Sequence, residues 1–282
     1  MENEKKLDNI IDDEEAKMDE NAASIFRFSA EMKKDIKLVD DQNGFELYYL
    51  SISPNNSKYL ERIEKMDLNE IDMLYAALKH PVIFVDIANK EVKYLNQGFE
   101  GLEVRYSIMK TKISDKEVKR LSKLYLKAKN VETNDDLKYA EMYDISSKIK
   151  NKGVRVILTK DEQTLEFYLT DISELGENGK RIIDYLKNLK NEDANYFISV
   201  SNLFSIIDTK NKVLYAMESY QDKDGKEIVK MLTHDKKEGG FDFMYDIAER
   251  AKKNPNEKVF FIDQKKEETY SPNSKAPSDM YA

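Results

Sequence analysis

A chain of 282 residues with 40% hydrophobic and 35% charged side chains can form two ordinary domains with a sizeable core, and its composition is typical of a soluble globular protein. No segment approaches the roughly 18 apolar residues of a membrane span, and the acidic amino terminus lacks the apolar stretch of a secretory signal, so a cytoplasmic location and no membrane association are expected. The absence of cysteine excludes disulfides, thiolate metal ligands and a cysteine nucleophile.

Most of the net charge of −8 belongs to the first part of the chain. Residues 1–23 carry nine acidic side chains against three lysines, which leaves the remainder at −2. Like charge with few large apolar residues predicts an acidic arm over 1–23 that is disordered or forms a loosely held helix. Abundant lysine, asparagine and isoleucine without tryptophan is typical of AT-rich coding, so we expect an accessory protein of a low-GC bacterium, a phage or a mobile element.

Two stretches that lie about 120 residues apart resemble each other. Residues 36–53 (IKLVDDQNGFELYYLSIS) and 156–173 (VILTKDEQTLEFYLTDIS) match without a gap at six positions. Each is followed by a helical pattern and a second hairpin, VIFVDIANKEVKYL or LFSIIDTKNKVLYA. The order hairpin, helix, hairpin over 36–96 and 156–217 predicts an α+β fold with two related modules and an internal duplication. The alternative is chance, because similar hairpins select similar turn and strand residues.

The remaining patterns complete the domain organisation. The alternating segment Ser24–Ala30 predicts a short strand at the start of the first module, 24–109. Two helical patterns, the first opened by the capping sequence at Ser114, predict a helical connector over 110–153. The second module, 154–263, includes an expected strand at Tyr196–Val200, and the polar residues 264–282 predict a flexible tail.

The first connector helix has one strongly basic face. Lysine and arginine side chains recur on the side opposite Val118, Leu121 and Tyr125. The predicted basic face consists of Lys116, Lys119, Arg120, Lys123 and Lys127. A face with one sign of charge can recruit phosphates, and it can equally be no more than a solvated surface.

Two glutamates and two tyrosines occupy matching places in the modules. Glu46 and Tyr48 correspond to Glu166 and Tyr168, and strand alternation places each pair on one face. We therefore consider these four residues as candidates for an equivalent groove in each module. The alternative is that they are outward positions on half-exposed strands.

A weak metal-site candidate lies in the second hairpin of the first module. Asp86, Glu91 and Lys93 form a D…E-x-K arrangement like that with which restriction-type nucleases hold Mg²⁺. The corresponding residues of the other copy are Asp208, Val213 and Tyr215, which do not repeat the arrangement. The alternative is an exposed hairpin of alternating charge.

No other pattern in the sequence indicates catalysis. The two histidines are isolated, and the nine glycines form no phosphate-binding loop, so we expect no cofactor and no resident metal. The leading hypothesis is a non-enzymatic protein that binds a protein partner or itself. A nucleic-acid-binding protein that uses the basic connector helix and a metal-dependent nuclease are the alternatives, and the sequence identifies no small-molecule ligand.

Overall fold

The computed structural model describes residues 2–40, 46–100, 103–131, 134–160, 163–236 and 240–263. The chain divides into two compact units. The first unit is Asn21–Glu141, and the second unit combines Met1–Glu20 with Met142–Ala282. Helices α1 (Glu2–Lys33) and α5 (Asn134–Lys152) each contribute residues to both units.

The first unit contains a six-stranded sheet and the helices that follow its strands. The strands are β1 (Lys37–Asp40), β2 (Glu46–Ser51), β3 (Val82–Asp86), β4 (Glu91–Glu100), β5 (Glu103–Lys112) and β6 (Lys129–Asn130). The helices between them are α2 (Ser57–Ile63), α3 (Leu68–Leu78) and α4 (Asp115–Lys127). The strand order is β5-β4-β3-β2-β1-β6.

The second unit contains a second six-stranded sheet. Its strands are β7 (Val154–Lys160), β8 (Gln163–Asp171), β9 (Phe204–Asp208), β10 (Val213–Gln221), β11 (Glu227–Asp235) and β12 (Val259–Asp263). Its remaining helices are α6 (Asn178–Lys187), α7 (Asn191–Ser201), α8 (Phe241–Lys253) and a 3-10 helix, Ile172–Leu175. The strand order is β11-β10-β9-β8-β7-β12.

The two sheets share their topology over five strands. In each, an antiparallel hairpin is followed by a helical crossover to a parallel strand and then by two antiparallel strands. Tyr48 pairs with Val82 as Tyr168 pairs with Phe204, so the matched tyrosines occupy equivalent places. The predicted α+β fold with two related modules is confirmed, and the common strand order is consistent with an internal duplication.

The sixth strands differ between the sheets. The two-residue strand β6 pairs antiparallel with β1, whereas β12 pairs parallel with β7 over five residues. The predicted helical pair between the modules is present as α4 and α5. The apolar side of α4 packs on the first sheet, and α5 divides between the units after Glu141.

Strand alternation gives the first sheet two apolar faces. On one face, Leu50 and Phe84 pack with residues of α1, α2 and α3. On the other face, Tyr49 and Val85 pack with Leu121 of α4. The sheet is therefore covered by helices on both sides, which explains its nearly continuous apolar central strands.

The second sheet is built in the same way. Phe167 and Leu169 of β8 pack with Met244 and Ile247 of α8 on one face. Thr170 points to the opposite face, where its hydroxyl donates a hydrogen bond to a carbonyl oxygen of α5. Helix α8 begins after Gly240 and ends before Asn254.

The start of the chain is helical. Residues 2–33 form one helix, which was one of the two alternatives for residues 1–23, whereas the strand predicted at Ser24–Ala30 is wrong. Ile25, Phe28 and Met32 are buried at helical spacing in the core of the first unit. The apparent strand alternation of Ser24–Ala30 arises because Phe26 and Phe28 are both aromatic, although these two side chains lie on different sides of a helix.

The expected strand at Tyr196–Val200 is also wrong, since this segment belongs to α7. Ala194, Phe197 and Ser201 are its buried residues, and their spacing is that of one helix face. Aromatic and β-branched residues favour strands only weakly, so the helical periodicity and the packing determine the structure. The predicted tail, 264–282, lies outside the described residues.

Within the described part of the chain, no helix combines the length and the apolar character that crossing a membrane requires.

Tyr49 allows a test of the packing beneath α4. It is 1% exposed, and its hydroxyl has no hydrogen-bond partner among the described residues. Burial raises the pKa of Tyr49 to about 12, with a smaller contribution from Tyr125. Because a buried hydroxyl without a partner is unfavourable, Tyr49→Phe should stabilise the protein by about 1 kcal/mol in urea unfolding.

The matched control is Tyr59→Phe in the same unit. The Tyr59 hydroxyl donates to the Asp35 carboxylate at 2.5 Å, so its removal should destabilise the protein by about 1 to 2 kcal/mol. Equal destabilisation by the two substitutions would show that the Tyr49 hydroxyl has a partner in solution.

Candidate functional site

The basic face of α4 forms because the helix is amphipathic. Ser114 caps the helix by accepting a hydrogen bond from the backbone N–H of Glu117 at 3.3 Å. Leu121 is buried against the first sheet, with Leu124 and Tyr125 packed beside it. The cations therefore occupy the solvent side of the helix.

All five predicted cations of this face are exposed. Arg120 forms an ion pair with Glu117 of the same helix at 2.6 Å. Within the described part of the chain, no ion pair includes Lys116, Lys119, Lys123 or Lys127. The Glu117 carboxylate, whose pKa is lowered by the hydrogen bonds from Arg120, offsets one charge only. The face is thus a largely uncompensated cationic stripe.

One apolar side chain accompanies these cations. Leu126 is 82% exposed, the highest value among the large apolar residues of the described chain. It lies in the last turn of α4 between Lys123 and Lys127 in sequence. We refer to Leu126 and the five cations together as the α4 outer surface. The helical pattern predicted the cations of this surface, whereas Leu126 was not among the predicted residues.

The four groove candidates do not line open grooves. Tyr48 and Tyr168 are buried, and the Tyr168 hydroxyl donates to Glu15 at 2.9 Å. Glu46 stays exposed, with a carboxylate oxygen 3.8 Å from His80, whereas Glu166 accepts a 2.7 Å hydrogen bond from Arg155. Neither tyrosine lines an open groove, because a side chain held inside a core cannot also lie on an open surface.

Burial of Tyr48 also affects its ionisation. Desolvation raises the pKa of its hydroxyl, and the charges of Asp136 and Glu46 raise it further. His80 packs edge-on against the ring, with 5.3 Å between centroids. These contacts show that each of the matched tyrosines packs inside its own unit.

Asp86 shapes the turn between β3 and β4. Its carboxylate accepts hydrogen bonds from the backbone N–H and the side-chain amide of Asn89, at 2.9 and 2.8 Å. These bonds are the main reason that the pKa of Asp86 is lowered. Asp208 and Asn211 form the same pair of bonds in the second unit, at 2.8 and 2.7 Å. The matched residues therefore build equivalent turns.

The other two residues of the nuclease hypothesis lie on the same hairpin. Glu91 pairs with Asp86 in the strand register, and its carboxylate lies 3.7 Å from the ammonium of Lys93 and 3.3 Å from that of Lys112. In the part of the chain that the structure describes, no group of three or more histidine, aspartate or glutamate residues is placed to hold a metal ion. These contacts support the alternative of a charged hairpin.

A polar cluster at the ends of β8 and β9 was missed in the sequence. Asp171 is buried and accepts hydrogen bonds from the backbone N–H and hydroxyl of Ser173, at 2.8 and 2.6 Å. Its second oxygen accepts from the Thr209 hydroxyl at 2.6 Å and lies 3.0 Å from the Lys252 ammonium. These four residues, which we call the Asp171 cluster, join α8 to two strands.

The charges of the Asp171 cluster stabilise each other. Burial by itself raises the pKa of Asp171. The hydrogen bonds from Ser173, Thr209 and Lys252 lower the pKa by more than burial raises it, so the net change is downward. Burial acts to lower the pKa of Lys252, and its bonds to Asp171 and Glu249 outweigh this and raise it. A lysine held in its ammonium form is a poor general base, which makes the cluster unsuited to proton abstraction.

Two buried ion pairs that each include a residue of α5 were also not predicted from the sequence. In the first unit, the Lys33 ammonium lies 2.7 Å from Asp136, with both side chains less than one-tenth exposed. In the second unit, Lys150 lies 3.1 Å from Asp19, which also accepts from Ser146 at 2.8 Å. Periodicity places these residues on a helix but gives no signal for which distant charge will face them.

Comparison with known proteins leaves the chain's own residues as the basis for a functional proposal. No protein-family model matches the chain, and neither a curated protein nor a solved structure is significantly similar to it.

Proposed function

We propose that this chain is a non-enzymatic binding protein that contacts a protein partner through the α4 outer surface. The observation that supports this proposal is the combination of an 82% exposed Leu126 with four lysines that take part in no described ion pair. Protein interfaces commonly place an apolar anchor inside a polar rim. A partner with an acidic surface and an apolar pocket would complement both features.

The charge arrangement also favours a second candidate, nucleic-acid binding. Lys116, Lys119, Arg120, Lys123 and Lys127 recur on one helix face over about 17 Å at 1.5 Å per residue. A stripe of this length can contact several phosphates, and such binding weakens steeply with salt because counterions are released. Leu126 has no evident part in phosphate binding, which is why the protein partner is preferred.

A crosslinking experiment separates these candidates. A photo-crosslinking residue at position 126, introduced in the producing cells, should give a discrete protein adduct, and the charge reversal Lys119→Glu with Lys123→Glu should remove it. The matched control is the same residue at Leu137, which is 47% exposed on α5 in the first unit. A crosslink between two copies of the chain would identify self-association as the interaction.

Two results would contradict the protein-partner proposal. Equal crosslinking from positions 126 and 137 would show that the contact is not specific to the α4 outer surface. Adducts that nuclease treatment destroys, together with salt-sensitive binding of a 20-base-pair duplex, would instead support the nucleic-acid alternative.

A further inference from the structure

A cleft of about 180 Å³ opens beside the Asp171 cluster in the second unit. Its apolar lining comes from Val154, Leu169, Ala248 and Ala251, and two of these are alanines whose short side chains leave space. Lys152 and Lys258 also line it. A cavity of about 150 Å³ is enough to hold benzene, so this cleft has room for a ligand of about six to eight non-hydrogen atoms.

The position of the cleft is one at which sheets of this kind bind ligands. Asp171 and Asp208 end the parallel strands β8 and β9, and crevices outside the carboxyl ends of parallel strands are common binding sites. The Asp171 cluster fixes one wall of the crevice, because it joins these two strand ends to Lys252 of α8.

In the described part of the first unit, no polar wall of this kind occupies the equivalent place. The common strand registers place Ser51 at the position of Asp171 and Ile87 at the position of Thr209. Ile87 is 44% exposed and cannot supply a hydrogen bond. The two units therefore differ in chemistry at the place where their backbones correspond, which indicates a specialised role for the cleft.

The charges that line the cleft define its ligand. Asp171 and Lys252 neutralise each other. Glu174 and Glu257 also line the cleft. In the described part of the chain, no ion pair includes Lys152, Lys258 or Glu174. Two lysines and two glutamates beside an apolar floor supply both signs of charge, which is complementary to a small molecule that carries both.

We propose that this cleft binds a free α-amino acid with a short aliphatic side chain. The ligand carboxylate would meet Lys152 and Lys258, its ammonium would meet Glu174, and its side chain would lie on Ala248 and Ala251. This inference is independent of the proposed protein-binding role of α4, because every lining residue belongs to the second unit.

Valine titrated into the full-length protein, followed by amide chemical shifts, tests the proposal. Saturable shifts are expected at Val154, Leu169 and Ala248. Isovalerate lacks the ammonium group and isobutylamine lacks the carboxylate, so each should bind at least about tenfold more weakly, which corresponds to about 1.4 kcal/mol.

Variants locate the binding. Lys258→Met should weaken valine binding about tenfold, whereas Lys253→Met, which changes a neighbouring lysine that does not line the cleft, should leave it unchanged. Ala251→Leu should abolish binding by filling the floor. The proposal is overturned if valine gives no saturable shift, if its two single-charge analogues bind as well, or if Lys253→Met weakens binding as much as Lys258→Met.

Discussion

Replacement of Lys33 by methionine is expected to destabilise the first unit by about 3 to 5 kcal/mol, because it leaves the Asp136 carboxylate buried without its cation. The Lys33 ammonium also donates to the carbonyl oxygen of Ala77 at 2.9 Å, and Asp136 accepts from Ser29 at 3.0 Å. The loss should appear as a lower urea midpoint in circular dichroism, with little change in slope.

Two further variants separate the buried pair from ordinary surface charge. Lys58→Met removes one partner of the exposed Lys58–Glu31 pair and should cost no more than about 1 kcal/mol. In the double variant Lys33→Met with Asp136→Leu, no charge remains buried, so much of the lost stability should return. If Lys33→Met has no larger effect than Lys58→Met, the buried pair does not stabilise the first unit as its geometry implies.

Replacement of Asp171 by asparagine is expected to destabilise the second unit by about 2 to 3 kcal/mol at pH 7. The substitution removes the charge that the hydrogen bonds of the Asp171 cluster stabilise. The pKa of Asp171 is lower in the folded protein than its ordinary value of 3.8. Its contribution to stability is therefore fully present above pH 3.8 and is lost as the pH falls through the lower, folded-state pKa.

The opposite sign holds for Lys252 at high pH. Its pKa is raised above the ordinary 10.5, so its contribution is present below pH 10.5 and is lost as the pH rises through the folded-state value. Urea unfolding of the wild type and of Asp171→Asn across pH should show a constant difference near neutrality that shrinks in acid. Asp184→Asn, at an exposed position, should show a small difference at every pH. A difference for Asp171→Asn that persists unchanged in strong acid would contradict the role of the carboxylate charge.

The candidate surfaces were predictable to different degrees. The cationic face of α4 follows from sequence, because a 3.6-residue period with lysine and arginine on one side determines which side chains are exposed once the other side is buried. The cleft beside the Asp171 cluster could not be predicted, because Val154, Ala251 and Lys258 come together only when α8 packs on the second sheet. The serine at position 173 was visible as a repeat match, but its carboxylate partner was not.

The sequence by itself determined the elements whose signals are local. The Asp86–Asn89 and Asp208–Asn211 turns form from neighbouring residues, and their repetition indicated the common topology of the two sheets. Only the tertiary structure decided that α1 is a helix. It also decided that β6 runs antiparallel to β1, whereas β12 runs parallel to β7. An acidic segment becomes ordered when distant partners such as Lys150 and Ser146 compensate the burial of Asp19, and those partners lie more than 120 residues away in sequence. Such long-range compensation leaves no local pattern, and this is the physical reason that the sequence left disorder and helix open for the acidic segment.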